Sequence, residues 1–126
     1  MRILLDTHLL LWWLDASPSL SEEALTVIRD PENRIFVSAV SLWEIWLKQS
    51  LGKLRLPANF EEGLAEESFE SLPLTASHAR QVAQLPWRHR DPFDRMLVAQ
   101  AQVENLALFT ANEVLASYGA AVRLAR

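Results

Sequence analysis

At 126 residues, with 50% hydrophobic and 22% charged positions and only nine Gly and Pro, the chain has the size and make-up of one packed domain, not of a disordered or low-complexity segment. It has no cysteine, which excludes disulfides, thiolate metal sites and cysteine nucleophiles and suits a reducing cytoplasm. The net charge of −4 argues against a broadly basic nucleic-acid binder, but ten of the twelve basic residues are Arg, and Arg80, Arg88, His89, Arg90 and Arg95 form a local basic stretch.

Met1–Leu5 is short and apolar and reads as a buried parallel strand, followed by Asp6-Thr7 as caps of a short helix from His8 to Leu14. This segment is too short for a membrane span, and Asp6 interrupts it where a signal peptide needs an unbroken apolar run. Ser21 caps a helix to about Arg29, with Glu22 and Glu23 in its first turn. Asp30 to Asn33 is a turn and Arg34–Val37 a second strand. Ser38 caps a long helix, Ala39 to about Leu51, which Gly52 ends. Asn59 caps an acidic helix from Phe60 to Glu70, and Ser71–Leu74 is a third strand. Thr75 starts a helix to about Leu85, and residues 86–90 form a loop. Asp91-Pro92 opens a helix to about Glu104. Leu106–Phe109 is a fourth strand with Thr110-Ala111-Asn112 as its exit. A short helix over Glu113–Ser117 and a fifth strand over Ala121–Leu124 complete the chain. Alternating strands and helices predict an α/β domain with a mostly parallel sheet.

Three lone carboxylates stand in segments that otherwise want burial. Asp6 is the only formal charge between Ile3 and Leu14, Glu44 the only one between Ile35 and Leu47, and Asp94 lies between Phe93 and Met96-Leu97-Val98-Ala99. A buried carboxylate needs a partner. For Asp6 the helix N-terminus is one candidate, but ligands gather at the carboxyl ends of parallel strands, where Asp6 is predicted. Glu44 lies among Val40, Leu42, Trp43, Ile45, Trp46 and Leu47, which predicts a helix buried nearly all round. An Arg partner or a metal ion would satisfy it, and the Ser41-x-x-Glu44 spacing puts hydroxyl and carboxylate on one face. Asp91 and Asp94 begin a helix, where the macrodipole favours negative charge, and Asp91 fits the capping role better.

Converging acids repel and raise each other's pKa values, and a divalent cation resolves this. Oxygen donors without Cys or a spaced His set suit Mg²⁺ or Mn²⁺ over zinc, because His8, His78 and His89 lack metal spacing. Such an ion binds phosphates and activates water, so metal-dependent phosphodiester hydrolysis is the chemistry this set would perform best. A glycine-rich phosphate loop, a Gly-x-Ser-x-Gly elbow and an Asp-x-Asp phosphotransfer motif are all missing. Trp12, Trp13, Trp43 and Trp46 cannot all hide in one small domain, which predicts a subunit or partner interface. Trp87, beside Arg88, His89 and Arg90, either stacks on RNA bases or packs over its own loop.

Four segments in order carry a family resemblance: Ile3-Leu4-Leu5-Asp6-Thr7; Val37-Ser38 with Glu44; His89-Arg90-Asp91-Pro92-Phe93-Asp94-Arg95 running into Leu97-Val98-Ala99-Gln100-Ala101; and Leu108-Phe109-Thr110-Ala111-Asn112. The chain resembles the PIN-domain family, in particular the VapC-type toxins of toxin–antitoxin pairs. The resemblance covers nearly all of residues 1–126 and implies a single PIN domain: a parallel five-stranded sheet sandwiched by helices. It also implies a Mg²⁺- or Mn²⁺-dependent endoribonuclease in the cytoplasm, dimeric, neutralised by a small antitoxin whose tail fills the acidic groove. The family's first three acids fall on Asp6, Glu44 and Asp94, which are the expected metal ligands and catalytic groups. Its fourth falls on Asn112, which brings a carbonyl but no charge; Asp91 or Glu113 would have to compensate. Thr7, Ser41, Asp91, Thr110 and Asn112 are the expected supporting residues, and Arg90 and Arg95 the expected grips on RNA phosphates. The competing reading is a PIN-fold interaction module with little or no activity.

Overall fold

The computed structural model describes residues 1–125. In chain order the elements are β1 (Arg2–Leu5), α1 (Thr7–Leu14), α2 (Glu22–Arg29), β2 (Arg34–Ser38), α3 (Ala39–Ser50), α4 (Phe60–Glu66), β3 (Glu70–Leu72), α5 (Ala76–Ala83), α6 (Pro92–Glu104), β4 (Ala107–Thr110), α7 (Glu113–Ala116) and β5 (Val122–Leu124). The five strands form one sheet in the order β3-β2-β1-β4-β5, and every pairing is parallel. The expected architecture is therefore present.

Alternation along the strands builds two cores. Ile3 and Leu5 of β1, Ile35 and Val37 of β2 and Phe109 of β4 face one side, against Leu9 and Leu10 of α1, Ala24 and Ile28 of α2 and Phe60 of α4. Leu4, Phe36 and Leu108 face the other side, against Leu97, Val98 and Ala101 of α6 and Leu115 of α7. Each face of the sheet is thus covered by helices, which is why the strands read as continuous apolar runs. Among the described residues no helix is long and apolar enough to cross a membrane.

The strand order places the site. The connections from β1 run one way through β2 to β3, and the chain then returns to the other side of β1 as β4. The crevice at the carboxyl ends of β1 and β4 is the switch point where open parallel sheets bind ligands. Asp6 follows β1 there, its N–H bonded to the Phe109 carbonyl at 3.1 Å.

Several local expectations need correction. The acidic helix α4 stops at Glu66, four residues early, and Asn59 makes no side-chain cap. Phe69 packs on Trp13, and the Glu70 carboxylate takes both Nε and Nη2 of Arg34 at 2.8 and 2.7 Å, so tertiary contacts draw this stretch into the sheet edge. Helix α3 is not buried all round: Ser41, Glu44 and Ile45 point inward, but Trp43, Trp46 and Leu47 are exposed, Trp43 by 57%. Trp13 packs within its own chain, its indole N–H donating to Glu67 at 2.9 Å.

Candidate active site

Asp6 is 3% exposed and does two jobs. Its Oδ1 accepts the Leu9 N–H at 2.8 Å and caps α1, and its Oδ2 accepts the Thr110 hydroxyl at 2.5 Å across the crevice. Capping and a place at the switch point are therefore both true of it. Burial pushes the Asp6 carboxyl above its ordinary range; the Thr110 and Leu9 hydrogen bonds and the nearby His8 oppose this, and Glu44 adds to it.

Glu44 lies on α3, 2% exposed. Its Oε2 accepts from the Lys48 ammonium at 2.6 Å, while its Oε1 is buried without a hydrogen-bond partner. An orphaned buried carboxylate oxygen is costly, and its place beside a second buried acid suits a cation. The partner expected from sequence was an Arg or a metal ion; the protein partner is Lys48.

Asp94, in the first turn of α6, has its carboxyl raised from 3.8 to about 6, first by burial and then by the charge of Asp91; Asp6 and Glu44 push the same way, and the His89 hydrogen bond pulls it down. The His89 Nε2 lies 3.0 Å from Asp94 Oδ2. Asp91 caps α6, its Oδ1 accepting from Phe93 and Asp94 N–H at 2.8 and 3.3 Å. Among the described residues His89, Asp91 and Asp94 bring donor atoms within 4.8 Å of one another. Asp6 and Glu44 are not in that triplet and act on Asp94 electrostatically.

The supporting residues are tied to these acids. Thr110 Oγ1 also accepts the Asn112 N–H at 3.0 Å, so one hydroxyl links Asp6 to the start of α7. Thr7 donates to Ser41 at 3.1 Å, joining the buried start of α1 to α3 one turn before Glu44. The Asn112 carbonyl oxygen accepts from Val114 N–H at 3.0 Å and caps α7.

Arg95 is not available for a phosphate. It is 3% exposed, and its guanidinium donates to the Pro86, Val82 and Leu85 carbonyls and the Tyr118 hydroxyl. The Trp87 ring lies over it at 3.8 Å, so Trp87 packs one face on this α6 arginine and leaves 80% of its surface exposed. Arg95 is the pin that folds the 86–90 loop against α6; Arg90, on that loop, is exposed.

Two residues escape the sequence reading. Lys48 carries an available signal, the i,i+4 spacing from Glu44. His89 carries a weaker one, because it reaches Asp94 only after the loop turns into α6 and so shows no helical spacing. His89, Asp91 and Asp94 bring their donor atoms together, and the buried Asp6 and Glu44, the latter with one unsatisfied oxygen, would add to them; this carboxylate-rich set fits a hard divalent ion.

The PIN domain family model matches residues 3–121. The chain belongs to the PIN domain family. No curated protein matches the sequence. Among solved structures, this PIN domain is similar to a chain of VapBC2 from Rickettsia felis bound to a promoter DNA fragment, at 16% identity and TM-score 0.75, over 98% of this chain and 97% of that one. It is similar to DNA-bound VapBC from Salmonella typhimurium at 18% identity and TM-score 0.66, over 98% and 96%. A third likeness is to FitAcB from Neisseria gonorrhoeae, at 21% and TM-score 0.63, over 95% of each chain. At these identities the likeness is one of fold.

Proposed function

We propose that this PIN domain is a Mg²⁺- or Mn²⁺-dependent endoribonuclease and the toxin of a toxin–antitoxin pair. One observation carries the reading: in this PIN fold the buried Asp6 and Glu44 act electrostatically on the part-buried Asp94, and Glu44 Oε1 has no hydrogen-bond partner. Asp6, Glu44 and Asp94 would hold the ion, with Asp91 and His89 beside Asp94. When bound, a divalent ion lowers the pKa of a coordinated water and neutralises phosphate charge. The chain's own residues do the rest. Thr110 fixes the Asp6 carboxylate through Oδ2, Leu9 N–H fixes Oδ1, and the Thr7–Ser41 pair sets α3 so that Glu44 faces the crevice. Arg90, exposed on the loop before α6, would hold a flanking phosphate.

Fold neighbours include a chain of a toxin–antitoxin complex, which supports a small antitoxin as the inhibiting partner. The exposed Trp43, Trp46 and Leu47 of α3 support a homodimer. The competing reading, a PIN-fold binding module with little activity, draws on Asn112, whose carbonyl oxygen is engaged at the α7 cap and which brings no charge. Incubating purified protein with RNA, with and without Mn²⁺, separates them. Cleavage that needs the ion and disappears in Asp6→Asn is expected; absent cleavage would leave the binding module, and cleavage without the ion would overturn the metal assignment.

A further inference from the structure

Lys48 sits one turn beyond Glu44 on α3 and puts its ammonium 2.6 Å from Glu44 Oε2. Asp91 and Asp94 also act on Lys48 electrostatically. The Lys48 side chain is 40% exposed where the Glu44 side chain is 3% exposed, so the lysine can leave and the glutamate cannot. The pair opens onto a cavity of about 480 Å³ whose lining includes Glu44, Lys48, Lys53 and Arg55. A long flexible stem with a compact charge can swing between these two environments.

We propose that Lys48 is a tethered counter-cation of the acidic centre. It holds Glu44 while the centre lacks a divalent ion, competes with that ion for Glu44, and once displaced stands with Lys53 and Arg55 on the cavity wall as a ligand for an RNA phosphate. The proposal rests on the metal-dependent ribonuclease reading and deepens it. The physical ground is charge balance: clustered carboxylates need a cation, and the ammonium supplies one that costs no binding from solution, yet a divalent ion brings twice the charge and can use Glu44 Oε1 as well. A tethered charge of the same sign beside the site weakens ion binding and discourages occupation by scarce metal.

The test is Mn²⁺ titration by calorimetry at pH 8 on wild type, Lys48→Met, Lys48→Arg and Lys53→Met. Lys48→Met is expected to bind Mn²⁺ about five- to tenfold more tightly, because the competing charge is gone. Lys48→Arg and Lys53→Met are expected to stay within about twofold of wild type, the first because charge is kept and the second because Lys53 does not touch Glu44. Without metal, Lys48→Met should melt below wild type and should gain more from Mn²⁺. In Mn²⁺-loaded protein it should bind a non-cleavable 2′-O-methyl RNA at least about threefold more weakly. Equal Mn²⁺ affinity in wild type and Lys48→Met would overturn the counter-cation role, and unchanged RNA affinity would overturn the phosphate role. No Mn²⁺ binding by any of the four proteins would instead remove the metal reading, and the proposal with it.

Discussion

Asp94 offers a quantitative check on the electrostatics of the centre. Its carboxyl is raised from 3.8 to about 6 by burial, then by Asp91. Between those values the folded chain keeps a proton at Asp94 that the unfolded chain has released. Stability therefore falls as pH rises through that window, and the full cost stands above it. At about 1.4 kcal/mol per pH unit the charged Asp94 costs about 3 kcal/mol at pH 7.5. Its side chain is only 14% exposed, so solvent screening removes little of this. Asp94→Asn deletes the charge, keeps an oxygen for His89, and buries an amide that returns part of the gain. The expected net is a stabilisation of about 1–2 kcal/mol without metal at pH 7.5, or roughly 5 °C in Tm. At pH 4, where Asp94 is protonated in the folded protein, the gain from deleting the charge is nearly gone while the cost of the buried amide remains, so Asp94→Asn should fall about 1 kcal/mol below wild type. Urea unfolding with chelator present, at steps from pH 4 to 8, reads both quantities. An Asp94→Asn protein less stable than wild type at pH 7.5, or a gap of constant size across the range, would refute the reasoning.

Thr110→Val removes the donor to Asp6 and the acceptor for Asn112 N–H; it should cost about 1–3 kcal/mol in denaturant titration, and Mn²⁺ affinity should fall with it. Arg95→Met strips three backbone carbonyls of their donor and should cost about 2–4 kcal/mol, whereas Arg90→Ala should leave stability within about 0.5 kcal/mol and lower the salt slope of RNA binding by about one. The reverse pattern would restore Arg95 as a phosphate contact. Asn112→Asp keeps an acceptor for Val114 N–H, so thermal stability should hold while Mn²⁺ binds more tightly by calorimetry; equal affinity would mean that position 112 does not face the ion.

The fold was legible because its signals are local. Apolar runs, the caps at Ser21, Ser38 and Asp91, and the stop at Gly52 with φ +73° all act within a few residues. The lone acids were legible for a related reason: a carboxylate in an apolar run stands out without knowledge of its partner. What stayed hidden depends on contacts distant in sequence. Arg95 reads as a surface arginine until the 86–90 loop folds over it. The acidic helix reads through to Glu70 until Arg34, on another strand, claims that carboxylate. The same limit applies to a polar chain in the second core. There Ser38 donates to Gln100 at 2.6 Å, Gln100 lies 3.4 Å from His78, and His78 meets Glu104 at 2.7 Å. His78 Nδ1 accepts the Thr75 N–H, so this buried histidine completes a helix cap and is not a ligand.

The strand order also governs when the centre comes into being. As the chain leaves the ribosome, β1, β2 and β3 emerge first and can pair as half a sheet, carrying Asp6 and Glu44 but neither Asp94 nor Thr110. The far side of β1 stays open until β4 arrives from the last quarter of the sequence and hands Asp6 its hydroxyl. A half-made chain therefore holds two acids with no third and an unsealed central strand. The acidic centre is therefore incomplete until α6 and β4 have been made, and a partner that reads the finished crevice has nothing to grasp before then.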